Sequence, residues 1–373
     1  MFSIADHTYM ALALQLAEQG NYSTAPNPRV ACVVVKNNQI LGQAAHLKAG
    51  QAHAEVLALN QAGAAAAGAD VYVTLEPCNH VGRTPPCVDA LLKAGVKRVV
   101  VAMQDPNPLV AGQGMQRLQA AGIQVELGLL EAQAQALNPG FVSRMTRHRP
   151  YLRTKLAASL DGRTALANGL SQWITTEAAR ADVQHWRGLS CAIVTGIGTV
   201  LQDNPSMTVR APEIVNAALS RQPLRVIVDS RLRTPHDCQM LSAASLQIGP
   251  VLIAYAKADA AQLQAMQRPG LSLLAMPNEH GQVDLPALMT HLATLGVNEV
   301  LLEAGSALNG AFLQAQLIDE CIFYYAAKLM GGNAQPMFAM PAYEAMSQAQ
   351  AMQIIDVRQL GADLRLRAKP VPA

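Results

Sequence analysis

Apolar positions run through this 373-residue chain in two rhythms, one of period 3.6 and one of short alternating or continuous runs. Asp6 to Glu18 carries the helical spacing, with Asp6 placed as an N-cap. Val30 to Val35 and Ile40 to Ala44 flank Asn37-Asn38, which predicts a tight hairpin. Ala54 to Gln61 reads as a helix with His53 at its very first position, and Asp70 to Leu75 as a buried strand ending at Glu76-Pro77. Pro85-Pro86 precedes an apolar-periodic run from Val88 to Leu92 that Gly95 stops, so Cys87 should lie at a helix N-terminus. A strand at Arg98 to Met103, a helix near Gly114 to Ala121 and a strand at Gln124 to Leu127 continue the alternation. The pattern predicts a helix-covered α/β sheet.

The basic, proline-terminated stretch Arg144 to Pro150 interrupts this pattern and marks a boundary, giving domains 1–147 and 148–373. Beyond it come a strand at Tyr151 to Ala157, an amphipathic helix through Arg187 and a strand at Cys191 to Thr195. That last strand runs into Gly196-Ile197-Gly198-Thr199. Glycines after a strand suit close approach of a phosphate, but the dinucleotide fingerprint is incomplete, so a plain sharp turn is the alternative.

Composition narrows the function class. With 51% hydrophobic and 14% charged residues the chain can bury large sheets and is not a disordered regulator. A net charge of +2 without basic runs argues against nucleic-acid binding. The six cysteines lack the spacing of a secreted disulfide framework, and Asp6 and His7 stand where a signal peptide would be apolar. No apolar run reaches the roughly 18 residues of a membrane span, so the expectation is a cytoplasmic protein with small-molecule partners and neither nucleic acid nor membrane.

The chemistry concentrates at His53-Ala54-Glu55, Pro77-Cys78 and Cys87. A catalytic zinc takes three protein ligands and leaves one position to water, whose pKa falls to about 7. His53, Cys78 and Cys87 supply three ligands, and Glu55 is left to take the proton from that water and pass it to departing ammonia. The expected reaction is hydrolytic deamination. A helix N-terminus at Cys87 would favour its thiolate. The alternative is a closed structural zinc with His80 or His46 as a fourth ligand. Between the cysteines, the polar loop Asn79 to Pro86 offers Arg83 and Thr84 to a phosphorylated substrate.

These motifs, with Pro26-Asn27-Pro28-Arg29-Val30 and Asp105-Pro106-Asn107-Pro108, resemble the deaminase half of the bifunctional riboflavin-biosynthesis deaminase-reductases. The resemblance continues through Asp203-Asn204-Pro205, Arg225 to Ser230 and Leu302-Glu303-Ala304-Gly305-Ser306. It implies a cytidine-deaminase-like α/β/α sandwich followed by a dihydrofolate-reductase-like α/β domain. It further implies zinc, NADPH and a homo-oligomer, dimer or tetramer. The implied reactions are deamination of 2,5-diamino-6-(5-phosphoribosylamino)pyrimidin-4(3H)-one and NADPH reduction of 5-amino-6-(5-phosphoribosylamino)uracil to its ribityl product. The alternative is a zinc deaminase whose C-terminal domain only binds substrate or mediates assembly.

By the same resemblance, Asn27, His80 and Arg83 approach the deaminase substrate. Ser171, Arg187, Met207, Arg210 and Glu303 face the sugar phosphate. Ala157, Trp173, Thr199, Asp203 and Ser230 line the NADPH site, together with Gly305, Ser306, Ala307, Leu308, Asn309, Gly310 and Ala311. Lys155, Asp203 and Glu303 are candidates for orientation and proton supply in the reduction, a structural ion pair between two of them being the alternative. Arg187 and Arg210 are the expected phosphate binders, since a guanidinium fork matches phosphate. The sequence departs from the family pattern at Ala31 and Ala304, where glycine is usual, and at Met207, where leucine is usual.

Overall fold

The structure, a computed structural model, describes residues 1–80, 85–108, 110–216 and 221–372. The chain divides into two compact units, Met1–His148 and Arg149–Ala373.

The first unit starts with α1 (Ile4–Ala17), whose N-cap is Ser3. Asp6 therefore sits one turn inside the helix, where its carboxylate accepts from the Ser3 amide and completes a capping box. β1 (Ala31–Lys36) and β2 (Gln39–Ala45) pair as a hairpin closed by Asn37 and Asn38 at φ 53 and 59°, the left-handed turn expected for such a pair. There follow α2 (Ala54–Ala62), β3 (Asp70–Val73), α3 (Cys87–Ala94), β4 (Arg98–Val101), α4 (Gln113–Ala120), β5 (Gln124–Leu127), α5 (Glu131–Leu137) and α6 (Pro139–Arg147). The sheet order is β2-β1-β3-β4-β5, with β1 antiparallel to both neighbours and β3, β4 and β5 parallel.

Strand alternation makes two cores from this one sheet. Cys32, Val34, Val71, Val73, Val99 and Val101 pack under α2, α3 and α4. Val33, Val35, Tyr72 and Val100 pack on the other face against Met10, Ala13, Ala134 and Phe141 of α1, α5 and α6. Helices on both faces make an α/β/α sandwich.

The second unit contains β6 (Tyr151–Ser159), β7 (Arg163–Ala165), α7 (Glu177–Leu189), β8 (Ala192–Gly196), α8 (Ile197–Asp203), α9 (Pro212–Val215), β9 (Leu224–Val228), α10 (Ala243–Ile248), β10 (Val251–Tyr255), α11 (Ala260–Ala265), β11 (Leu271–Ala275), α12 (Leu285–Thr294), β12 (Glu299–Leu302), α13 (Ser306–Gln314), β13 (Glu320–Ala326), β14 (Gln335–Pro336), β15 (Met352–Leu360) and β16 (Asp363–Pro370). Among the described residues the large sheet has the order β11-β10-β9-β8-β12-β6-β13-β16-β15, and β7 pairs with β14 separately. From β11 through β13 all pairs are parallel. The near-continuous burial of β8, β9, β10 and β12 is what a parallel sheet covered on both faces demands. β12 enters late in the chain between β8 and β6, so the C-terminal ends of β9, β8 and β12 gather on one side, the usual location of a ligand crevice. The glycine turn expected at Gly196 to Thr199 is instead the start of a helix: Gly196 N-caps α8 and Gly198 lies within it.

Candidate functional site

In the first unit, three chain segments bring His53, Cys78 and Cys87 together so that one ligand atom from each lies within 4.8 Å of the others. His53 is the N-cap of α2, with φ −74° and ψ 162°, one residue earlier than the sequence pattern placed it. That extended backbone resolves the geometric difficulty of two residues, i and i+2, serving one site from a regular helix. Cys78 lies on the loop leaving β3, and Cys87 is the first residue of α3.

The distances fit a zinc ion. His53 Nδ1 is 3.2 Å from Cys87 Sγ and 3.6 Å from Cys78 Sγ. A tetrahedral zinc with Zn–S of about 2.3 Å and Zn–N of about 2.05 Å separates N from S by about 3.6 Å. The helix-end amide serves the other thiol from the one expected, since Cys87 N–H donates to Cys78 Sγ at 3.3 Å. A hydrogen bond from Cys87 pulls Cys78 down to about 4 against its burial, with His53 helping. The Cys87 thiol is pushed up by its partnership with Cys78 and by burial. A bound metal ionises both.

Glu55 is 3% exposed and its carboxyl is pushed up to about 7, chiefly by burial and then by the Cys78 charge. His46 and His80 are not ligands: neither belongs to the cluster that could hold a metal among the described residues. Both His46 nitrogens are engaged, Nδ1 with Ala52 O at 3.2 Å and Nε2 with the Asn27 amide at 3.1 Å. Since only Nδ1–H can donate to a carbonyl, Nε2 accepts from Asn27 Nδ2, and the Asn27 amide oxygen faces away from His46. His46 also packs edge-on against His53, ring centroids 5.2 Å apart.

His80 is exposed, and burial pushes the nearby Asp105 carboxyl up to about 6. Arg83, expected at the substrate, lies outside the described residues. Glu76 was not singled out by the sequence pattern. Its buried carboxylate accepts from the amides of Asp105 (3.2 Å), Gly112 (2.9 Å) and Gly114 (3.0 Å), which fastens the Asp105 to Gly114 loop to the segment that carries Cys78.

In the second unit, a cavity of about 1000 Å³ opens at the C-terminal ends of β9, β8 and β12 and along β6. Of the residues expected here, Lys155, Ala157, Ser171, Trp173, Arg187, Thr199, Asp203, Met207, Arg210, Ser230, Glu303, Gly305, Ser306, Ala307, Leu308 and Ala311 line it. Asn309 and Gly310 do not, because α13 turns them inward. The buried Asn309 amide spans Thr154 Oγ1 and Ala304 O, both at 2.9 Å, and a Cβ on Gly310 would lie 2.2 Å from Ala339 O. Trp173 is 68% exposed at the cavity and lies under the Arg180 guanidinium, 4.6 Å from the ring centroid, so it is not a core residue.

The charged groups pair differently from the sequence expectation. Arg187 on α7 grips Glu303, at the end of β12, through Nε–Oε1 at 2.6 Å and Nη2–Oε2 at 2.9 Å, and its Nη1 donates to Thr208 O at 3.1 Å. Its fork meets a carboxylate, and the residue also lines the cavity. Burial alone would raise the Glu303 pKa, but Arg187 outweighs it and holds the carboxyl below its ordinary value. Lys155 on β6 has no hydrogen bond or ion pair from its ammonium among the described residues, and burial lowers its pKa while the Glu303 charge opposes that. Asp203 accepts from Ser171 Oγ at 3.2 Å. Arg210 is exposed in the cavity and donates to Ser206 Oγ at 2.8 Å.

The cavity fits a dinucleotide beside a second small molecule. Its volume is at the top of the usual range for small-molecule sites. A Cβ built on Gly198 or Gly305 meets nothing within 4 Å, so both backbones face open space. Basic residues absent from the sequence expectations, Arg180, Arg231, Arg233 and His280, also line it.

Residues 150–366 match the family described as RibD C-terminal domain, and residues 3–103 match the cytidine and deoxycytidylate deaminase zinc-binding region. The riboflavin biosynthesis protein RibD of Escherichia coli K12 is 46% identical over 368 residues, covering 97% of this chain and 98% of that protein. That of Bacillus amyloliquefaciens is 42% identical over 363 residues, covering 97% of this chain and 95% of that protein. Among solved structures, Acinetobacter baumannii RibD in its form 1 superposes with a TM-score of 0.89 at 46% identity, covering 99% of both chains. A diaminohydroxyphosphoribosylaminopyrimidine deaminase/5-amino-6-(5-phosphoribosylamino)uracil reductase from Thermotoga maritima gives 0.86 at 29% identity, covering 98% of this chain and 99% of that one.

Proposed function

This chain belongs to the RibD family of riboflavin biosynthesis proteins, and on that premise we propose which of its residues carry each of its two reactions. The enzyme deaminates 2,5-diamino-6-(5-phosphoribosylamino)pyrimidin-4(3H)-one and then reduces 5-amino-6-(5-phosphoribosylamino)uracil to the ribityl product. Zinc and NADPH are its cofactors. The alternative of a C-terminal half without activity is set aside by relatives of this function aligned along almost the whole chain. When bound, zinc supplies Lewis acidity toward the attacking water, and NADPH supplies the reducing electrons.

For deamination, His53 Nδ1, Cys78 Sγ and Cys87 Sγ hold the metal and Glu55 moves the proton. The convergence of these three ligand atoms with a buried carboxyl raised to about 7 carries this assignment, because a general base works best near the operating pH. Glu55 takes the proton of the water and delivers it to the departing amine. Asn27, oriented by His46, turns its amide oxygen to the pyrimidine as an acceptor, while His80 and Arg83 meet the substrate from the loop between the cysteines.

For reduction, the open-chain imine of the ribosylamine must gain a hydrogen at C1′ and a proton at nitrogen. Lys155 supplies the proton, supported by its lowered pKa and by an ammonium without a hydrogen-bond or ion-pair partner among the described residues. Glu303, fixed by Arg187, orients the sugar, and Arg210 takes the phosphate by charge-assisted hydrogen bonds. Ser171 and Met207 complete the substrate wall. Ala157, Trp173, Thr199, Asp203, Ser230 and the 305–308 and 311 positions hold the dinucleotide.

A homo-oligomer, dimer or tetramer, is supported by Ile354 and Val357, 59% and 52% exposed on the edge strand β15, since an apolar unpaired edge invites another chain. Cytoplasmic residence is supported by six cysteines that are all free. No helix among the described residues is long and apolar enough to cross a membrane. Assaying ammonia release from the diamino substrate and NADPH oxidation with the deaminated product, in wild type and in Glu55→Gln and Lys155→Met proteins, tests the assignment. Loss of ammonia release in the lysine variant, or of reduction in the glutamate variant, would contradict it.

A further inference from the structure

We propose that Arg365 on β16 is a positioning residue of the reductase: through Asp182 it fixes the register of α7 and so holds Arg187 against Glu303. The inference rests on the reading above, in which that pair orients the sugar.

Alternate residues of a strand point to one face, and Asp363, Arg365 and Arg367 of β16 meet α7 at three levels. Asp363 Oδ2 accepts from Thr176 N at 2.6 Å and Thr176 Oγ1 at 2.7 Å, at the N-cap of the helix. Arg365 Nη1 donates to Asp182 Oδ1 at 2.9 Å and Oδ2 at 3.0 Å, in its second turn. The Arg367 guanidinium lies over the Trp186 ring, 5.0 Å from the centroid, in the last turn. Asp182 also accepts from Tyr324 Oη at 2.5 Å and from Trp186 Nε1 at 3.2 Å. Tyr324 stands directly opposite Arg365 in the pairing of β13 with β16, and Arg365 Nη2 donates to Asp356 Oδ2 of β15 at 2.9 Å.

None of these groups lines the cavity. β16 is three strands from β12, with β13 and β6 between them, so at about 4.8 Å per strand it lies roughly 14 Å from the strand that ends at Glu303. The connection runs through α7. Trp186, held by Asp182 and Arg367, adjoins Arg187 in the chain, and Arg187 spans to Glu303 with both prongs of its fork.

Ala179, Val183 and Trp186 pack as an apolar stripe in the same core as Ile322 and Tyr324. Apolar contact is non-directional, so the stripe alone leaves the helix able to slide or turn. A buried ion pair adds little net stability over apolar residues of like volume, and register is its best-attested contribution. The side chains of Arg365 and Asp182 are 6% and 19% exposed, and their two-pronged contact fixes α7 along the strand direction. A misplacement of about 1 Å can cost roughly a hundredfold in rate. The charges acting on Glu303 are Arg187 of α7, Lys155 of β6 and Arg210 before α9, and only the first lies on the helix that β16 holds.

The test is steady-state reduction by the zinc-loaded full chain, with NADPH affinity from fluorescence and Tm from thermal unfolding. The variants are Arg365→Met, Arg365→Lys, Asp182→Leu with Arg365→Met, Arg187→Ala, and Arg187→Ala with Arg365→Met. Arg365→Met should lower reductase kcat roughly tenfold to hundredfold and move the acidic limb of kcat/KM to higher pH, while NADPH affinity and ammonia release stay at wild type. Arg365→Lys should recover part of the rate. The Asp182→Leu, Arg365→Met protein leaves neither charge of the pair behind, so it should keep a Tm near wild type and still show the loss. In the Arg187→Ala background, Arg365→Met should cost less than about twofold, because no guanidinium remains to be positioned. Wild-type reduction by the apolar pair, a loss confined to variants whose Tm falls, or full multiplication of the two losses in the Arg187→Ala background would overturn the inference alone. Wild-type reduction by Arg187→Ala would instead contradict the role of the Arg187–Glu303 pair, and the inference with it.

Discussion

Arg187 and Glu303 meet as a two-pronged, buried ion pair, Nε to Oε1 at 2.6 Å and Nη2 to Oε2 at 2.9 Å, although 116 positions separate them in the chain. The pair holds the Glu303 carboxyl below its ordinary pKa, which suits the role proposed for it, orienting substrate.

Replacing Arg187 by alanine leaves Glu303 buried without a partner, which should destabilise the second unit by about 3 kcal/mol. Without the guanidinium, burial raises the Glu303 pKa. If reduction needs the carboxylate, the acidic limb of the kcat/KM profile must then move to higher pH. Arg187→Lys should restore part of the rate and move the limb back. An unmoved limb in the alanine variant would show that Glu303 does not control the reduction.

Arg210→Ala removes a charge-assisted contact worth about 1.5 to 3 kcal/mol, so reductase kcat/KM should fall roughly tenfold to hundredfold. NADPH affinity should stay near wild type. Loss of NADPH binding with an unchanged substrate KM would place Arg210 on the wrong ligand.

Cys78→Ser and Cys87→Ser should each abolish zinc retention as measured by elemental analysis, since three protein ligands leave no spare. His46→Ala should retain zinc. It frees the Asn27 amide to rotate, and the deaminase KM should rise about tenfold for a contact of roughly 1 kcal/mol or more. Zinc lost in the His46 variant would mean that His46 supports His53 and not Asn27.

Asp6 accepts from Arg98 Nη1 at 2.8 Å and from Tyr72 Oη at 2.7 Å, and the guanidinium holds its carboxyl well below the usual carboxylate range. Its stabilisation is therefore present above the unfolded pKa near 3.9 and is lost as pH falls from there toward the folded value. Asp6→Asn should lower the stability of the first unit by about 3 kcal/mol at pH 7. The gap to wild type should shrink below pH 4 in denaturant titrations.

The parts of this molecule legible in its sequence are those that local chemistry determines. The Asn37-Asn38 hairpin, the strand before Cys78 and the helix opened by Cys87 follow from turn residues and apolar spacing. Helix starts were less legible: Ser3 displaced Asp6 as N-cap because Asp6 completes the box from inside the helix, and His53 capped α2 from outside it. Contacts between distant elements were not legible at all. Arg187 carries the same residue-level signal whether it meets a phosphate or Glu303, and only the register of α7 over β12 decides. Likewise, the inward turn of Asn309 and Gly310 depends on Thr154 and Ala339, which no spacing within Gly305 to Ala311 encodes. His46 and Glu76 gave a faint signal as a histidine before the metal motif and an acid before Pro77-Cys78, but their partners lie across loops.

Two separate sites acting in succession is the central claim, and the Glu55→Gln protein tests it most directly through NADPH oxidation with each of the two substrates. Zinc-loaded Glu55→Gln protein should oxidise NADPH at the wild-type rate when given the deaminated substrate, and should release no ammonia and oxidise almost no NADPH when given the diamino substrate. Wild-type NADPH oxidation from the diamino substrate, or loss of oxidation with both, would contradict it.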